Sequence, residues 1–119
     1  MAYSKLFTMY GQAYAMLVTT ANVTGPLTIT GNPLADSCYL LNPSSTSVAV
    51  SINQITQTAP PQGFKFPTNN SPSIASCVIL PPSMPEPMQV RVPNGGFTVW
   101  AIGPGASITF FLMPSTIQS

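Results

Sequence analysis

Histidine is absent from this 119-residue sequence, and ionisable groups of every kind are scarce. Only Lys5, Asp36, Lys65, Glu86 and Arg91 carry formal charge, 4% of residues where an average domain has about 25%. Without histidine, neither a Ser-His-Asp nor a Cys-His arrangement can form. The two carboxylates, Asp36 and Glu86, are far apart in sequence, and Glu86 is held between Pro85 and Pro87. A pair of that kind gives glycoside hydrolysis no obvious cleft. The chain is therefore expected not to be an enzyme. A zinc site would have to gather Cys38, Cys77, Asp36 and Glu86 together, so neither metal nor cofactor is expected.

Three cations also exclude the basic stripe that neutralises phosphates, and nucleic acid is not expected as a partner. No run of some 18 apolar residues exists, so no helical membrane span is expected. After Lys5 the apolar stretch Leu6–Tyr10 stops at Gly11-Gln12, too short for a signal sequence even though Ala13-Tyr14-Ala15 has the look of a cleavage site. Asn94-Gly95-Gly96 lacks the lysine and following helix of a phosphate loop, and reads as a hairpin turn that needs positive φ. Cys38 and Cys77 sit in strand-like runs and read as small buried thiols, while a bridge between them goes with an exported protein.

Proline is abundant, with 14 copies. It cuts the chain into short segments and excludes long helices. Between the prolines lie β-branched and aromatic runs that alternate with polar residues. They predict about eight strands, at 14–24, 27–30, 37–41, 47–53, 75–80, 89–92, 97–102 and 107–113. In the first, Ala15, Leu17, Thr19, Ala21 and Val23 share a face. In the fourth, Val48, Val50 and Ile52 oppose Ser47, Ala49, Ser51 and Asn53, the pattern of a half-buried strand. The last two read as a hairpin around Gly103-Pro104-Gly105-Ala106, with Phe97, Val99, Ala101, Ile108, Phe110 and Leu112 turned inward.

The predicted fold is all-β, an antiparallel β-sandwich of jelly-roll type. Residues 1–12 form an N-terminal apolar arm and residues 13–119 a single sandwich domain. In the arm, Tyr3, Leu6, Phe7 and Tyr10 fall at helical spacing. Residues 57–73, with Phe64 and Phe66 beside Lys65, read as a long loop, and Pro81–Pro87 as a stiff connector.

A surface of Ser, Thr, Asn, Gln and Pro leaves little repulsion between copies, which suits a protein packed among neighbours. Tyr3, Phe7, Tyr10, Phe64 and Phe66 are the candidate interface residues, because aromatic rings give large contact area for little entropy.

The runs Tyr39-Leu40-Leu41-Asn42-Pro43-Ser44-Ser45-Thr46, Val90-Arg91-Val92-Pro93 and Phe97-Thr98-Val99-Trp100-Ala101-Ile102-Gly103 resemble small structural proteins of tailed-phage virions, over about two-thirds of the chain. The resemblance implies a decoration or cement protein that binds between major capsid subunits, as a homo-oligomer and often a trimer. It also implies a place on the capsid exterior after assembly in the host cytoplasm. The alternative is a secreted adhesin or carbohydrate-binding module, which would need a Cys38–Cys77 bridge and an exposed aromatic platform including Trp100. A shell-forming coat protein ranks last, because it would have to manage genome charge with three cations.

Overall fold

Alternating β-branched and aromatic segments become strands in the computed structural model, which describes residues 6–9, 13–19, 22–30, 36–93 and 95–118. The strands are β1 (Leu6–Met9), β2 (Tyr14–Val18), β3 (Thr24–Ile29), β4 (Ser37–Leu41), β5 (Val48–Gln54), β6 (Val78–Leu80), β7 (Met88–Arg91), β8 (Phe97–Ile102) and β9 (Ile108–Gln118). Their pairing is nested. β5 pairs with β6, β4 with β7, β3 with β8 and β2 with β9, all antiparallel, so the chain is one long ribbon folded back on itself. The ribbon then rolls over, laying β4 along β9 and β5 along β8. Two sheets result, β2–β9–β4–β7 and β3–β8–β5–β6, with β1 continuing the β2 edge along the second half of β9. This is the strand order of a jelly roll, two antiparallel sheets built from interleaved Greek keys.

The core lies between the sheets. Met16, Val18, Cys38, Leu40, Ile108, Phe110 and Leu112 from one sheet meet Ile29, Val48, Val50, Leu80, Phe97, Val99 and Ala101 from the other. The six residues predicted to point inward from β8 and β9 all do so.

Five expectations change. β8 and β9 are not a hairpin but lie in opposite sheets, and their inward residues face each other across the core. A Gly-Pro-Gly turn reverses the chain equally well between neighbouring strands or between sheets, so its chemistry cannot tell the two apart. For the same reason Gly95 and Gly96, at φ 86° and 121°, serve a crossing from β7 to β8 rather than a hairpin.

The helical spacing around Leu6 and Phe7 gives way to strand β1, with Leu6 opposite Gln118 and Phe7 opposite Ile117. So short a helix is marginal alone, while the β9 edge offers a row of backbone partners. Tyr3 and Tyr10 lie outside the described residues.

The predicted strand 14–24 is two strands, and Gly25-Pro26 falls inside β3, at a register irregularity on a sheet edge, rather than in a turn. Edge irregularities are where a sheet tolerates proline. Gly25 has φ 136°, and a Cβ there would stand 2.8 Å from the Val99 carbonyl oxygen, so no other residue fits.

Finally, β5 is buried on both faces from Val48 to Ser51 and β8 along its whole length. The long loop explains this by folding over the outside of their sheet. There Phe64, Ala49, Trp100 and Ile102 form a second apolar cluster, joined by the half-buried Val23, Phe66, Ala75 and Cys77.

Candidate interaction surface

The loop over the second sheet decides what Phe64 can do. Its ring is only 6% exposed and packs on its own chain, so it is not available to a partner. Phe66 is half-buried against the same cluster. Beyond Phe66 the loop turns back on itself at Thr68–Ser71, whose backbones exchange two hydrogen bonds of 3.0 Å, and the Lys65 ammonium donates to the Ser71 hydroxyl. Phe7 belongs to β1, along the edge of the other sheet. The structure therefore does not gather Phe7, Phe64 and Phe66 into one patch.

Trp100 is 2% exposed and offers no aromatic platform; its indole N–H has no hydrogen-bond partner. Cys38 and Cys77 are free. Cys38 belongs to the core between the sheets and Cys77 to the cluster outside one of them, so that sheet separates the two thiols. Burial pushes the Cys38 thiol up from 9.0 to about 12, against a smaller opposing effect of its hydrogen bond with the Met113 backbone.

A buried polar group at one end of the sandwich ties two connections together. Asn42, with no exposure, donates from its amide to the carbonyls of Thr46 at 2.9 Å, Pro81 at 3.2 Å and Leu80 at 3.4 Å. Its side-chain oxygen accepts from Ser44 N–H at 3.1 Å, and its backbone carbonyl from Met84 N–H at 2.9 Å. The β4–β5 link and the Pro81–Pro87 connector are thereby held as one stiff unit.

The largest departure from ordinary β-sandwich patterning is the outer face of the β2–β9–β4–β7 sheet. An antiparallel sheet with its other face on the core normally turns polar residues to water. Here alternation and register set Leu17 beside Thr109, then Ala15 beside Phe111 beside Leu41, then Met113 beside Tyr39 beside Gln89, then Ser115 beside Ser37 beside Arg91. Leu17 is 56% exposed; Tyr39, Leu41, Phe111 and Met113 are half-buried and belong to neither core cluster. The face grades from apolar at β2 and β9 to polar at β7. Its polar end is closed by a hydroxyl pair, Ser37 and Ser115 at 3.0 Å, with the Gln89 amide donating to Ser37 at 3.3 Å.

These outward residues did not figure among the candidates read from the sequence, although a signal was there. Ser37–Leu41 and Ile108–Met113 do not alternate; they are apolar on both faces. Strands of that kind occur where both faces are covered.

Where β6 stops short, the sandwich edge opens as a groove of about 220 Å³ lined by Val50, Ile52, Ser76, Cys77, Val78, Val90 and Arg91. One guanidinium and one thiol provide no acid–base pair. Among the described residues, no group of three or more His, Cys, Asp or Glu side chains is placed to hold a metal ion. No helix among them is long and apolar enough to cross a membrane. Comparison with protein-family models, with curated protein sequences and with solved structures gives no match.

Proposed function

We propose that this chain is a virion structural protein that decorates and stabilises a phage capsid by binding between major capsid subunits. The observation that carries the reading is the apolar outer face at Leu17, Leu41, Phe111 and Met113, on a sheet whose other side is already core. Leu17 is exposed and the other three are half-buried, and joining a neighbour removes the contact with water that remains. Two further features support an assembly role. The surface carries too little charge to keep neighbours apart, and the links tied through Asn42 are stiff, so they lose little entropy on docking.

The jelly-roll order also favours a second reading, the shell subunit itself, because capsid domains share that architecture. Three cations fit an outer layer better than one lining a genome. Lectin domains share the architecture as well, but the features expected of an exported module are missing: Trp100 is buried and the two thiols are separated.

The test is immunogold labelling, with an antibody against this chain, of particles purified from its source. Regular labelling over intact shells supports the decoration role. A chain found only in the particle-free fraction overturns it.

A further inference from the structure

We infer that the open edge of the sandwich between β6 and β7 takes up an extended segment of another protein. That segment pairs with β7, sets an aliphatic side chain into the groove and brings an acidic group to Arg91. The inference goes beyond the decoration reading, because it assigns a contact apart from the outer face and the chemistry of the partner that makes it.

The core is unfinished at this edge. Ile52, Val78 and Val90 pack against the core from β5, β6 and β7, yet all three are only half-buried. Together with the buried Val50 they line the groove of about 220 Å³. Protein interiors are close-packed, so a gap between inward side chains leaves apolar surface without partner atoms. The volume is small for a cofactor or a comparable ligand, whose pockets run from about 300 to 1,000 Å³. It suits a bulky aliphatic side chain on a passing backbone.

The backbone of β7 is open on one side. The Val92 N–H donates to the Asp36 carbonyl at 3.1 Å, in the register that sets Val90 opposite Cys38 and Met88 opposite Leu40. In an antiparallel ladder alternate residues turn both peptide groups to the same neighbour. Met88 and Val90 therefore bond to β4, while Gln89 and Arg91 turn theirs off the sheet, where no further strand pairs among the described residues. A strand laid along them points every second side chain to the core side, which here is the groove. Pro87 and Pro93 bracket the edge and confine the pairing to the four residues of β7.

Charge narrows the partner. Of the residues that line the groove, Arg91 alone is ionic, and it is exposed. An acidic group on the incoming segment complements it. A second copy has no such segment to give, because its carboxylate side chains are Asp36 and Glu86. The backbone of Asp36 is already bonded to Ser115 and Val92, and Glu86 stands between two prolines, which have no N–H to pair. The partner is a different protein.

The experiment is amide hydrogen exchange of the isotope-labelled full chain, read by NMR with and without an excess of synthetic hexapeptides. These carry Val, Leu, Ile or Met at alternate positions, threonine between them and an aspartate at one end. In the free chain the Gln89 and Arg91 amides are expected to exchange fast and the Val90 amide slowly. With millimolar peptide, Gln89 and Arg91 are expected to slow at least about tenfold, and Cys77, on the groove wall, to react more slowly with a thiol reagent. Arg91→Glu is expected to weaken binding about threefold or more, and peptides ending in lysine to restore it. Peptides N-methylated at every residue cannot donate to the edge and are expected to leave both amides fast. Gln89 and Arg91 amides that are slow in the free chain, or that stay fast at millimolar peptide, overturn the inference. Slowing by the N-methylated peptides, or binding indifferent to Arg91→Glu, overturns it as well.

Discussion

At the scale of residues, Cys38 and Asn42 are two groups whose chemistry is held inside the fold. Cys38 is fully buried and its thiol is pushed up to about 12, so it stays a neutral hydrophobe at any physiological pH. Cys77 is half-buried beside the open groove. A thiol-specific reagent is expected to modify Cys77 in the native protein and Cys38 only on unfolding.

The raised value also fixes a sign. An unfolded Cys38 loses its proton from about pH 9, the folded one only near 12, so its stabilising contribution is whole below 9 and drains between 9 and 12. The slope is about 1.4 kcal/mol per pH unit, and urea unfolding of Cys38→Ala is expected to lack it.

Asn42 is the other residue whose role lies inside the fold. Its removal in Asn42→Ala takes a donor from the carbonyls of Leu80 and Pro81 and the acceptor from the N–H of Ser44, while the Thr46 carbonyl keeps the Ser44 hydroxyl. The expected loss is about 2 kcal/mol in urea unfolding. Neither role was legible from type alone. Cys38 could be read as a small buried thiol, but Asn42 could not be told from the chain's many surface amides until two distant connections were seen to meet on it.

At the scale of elements, the sequence was most informative about the extent of its apolar runs. Residues 37–41 and 97–102 are strands within the predicted bounds, and the inward faces of β8 and β9 follow from their period. Pairing was less legible. Period two says which way a side chain points, but not whether the next strand lies beside it or across the core, and the β8–β9 hairpin failed on that point.

The loop between β5 and β6 shows the same limit. Its prolines and glycine marked it as irregular, yet only the fold reveals that Phe64 fastens it over Trp100. Phe64→Ala is expected to release it, costing about 3 kcal/mol and speeding limited proteolysis between residues 55 and 77. Ile74→Glu, on the solvent side of the same loop, is expected to leave the cleavage rate as it was.

At the scale of the whole molecule, one ribbon rolled into two sheets produces two unlike surfaces, one capped by a loop and one that, among the described residues, is apolar along β2, β9 and β4. Composition pointed toward contact with other protein, because five charges leave apolar and hydrogen-bonding contact as the main means of holding a partner. The five aromatic residues read as that contact were chosen by ring type. The surface identified in the fold is instead a matter of orientation, Leu17, Leu41, Phe111 and Met113 facing out from strands that are apolar on both sides.

The most direct test of an assembly role for that face is a reconstruction, by electron cryomicroscopy, of particles that carry this chain. The account predicts jelly-roll density with the outer face of the β2–β9–β4–β7 sheet turned onto a neighbouring subunit. Density in which that face looks into solvent, with the loop-covered sheet making the contacts, would contradict it.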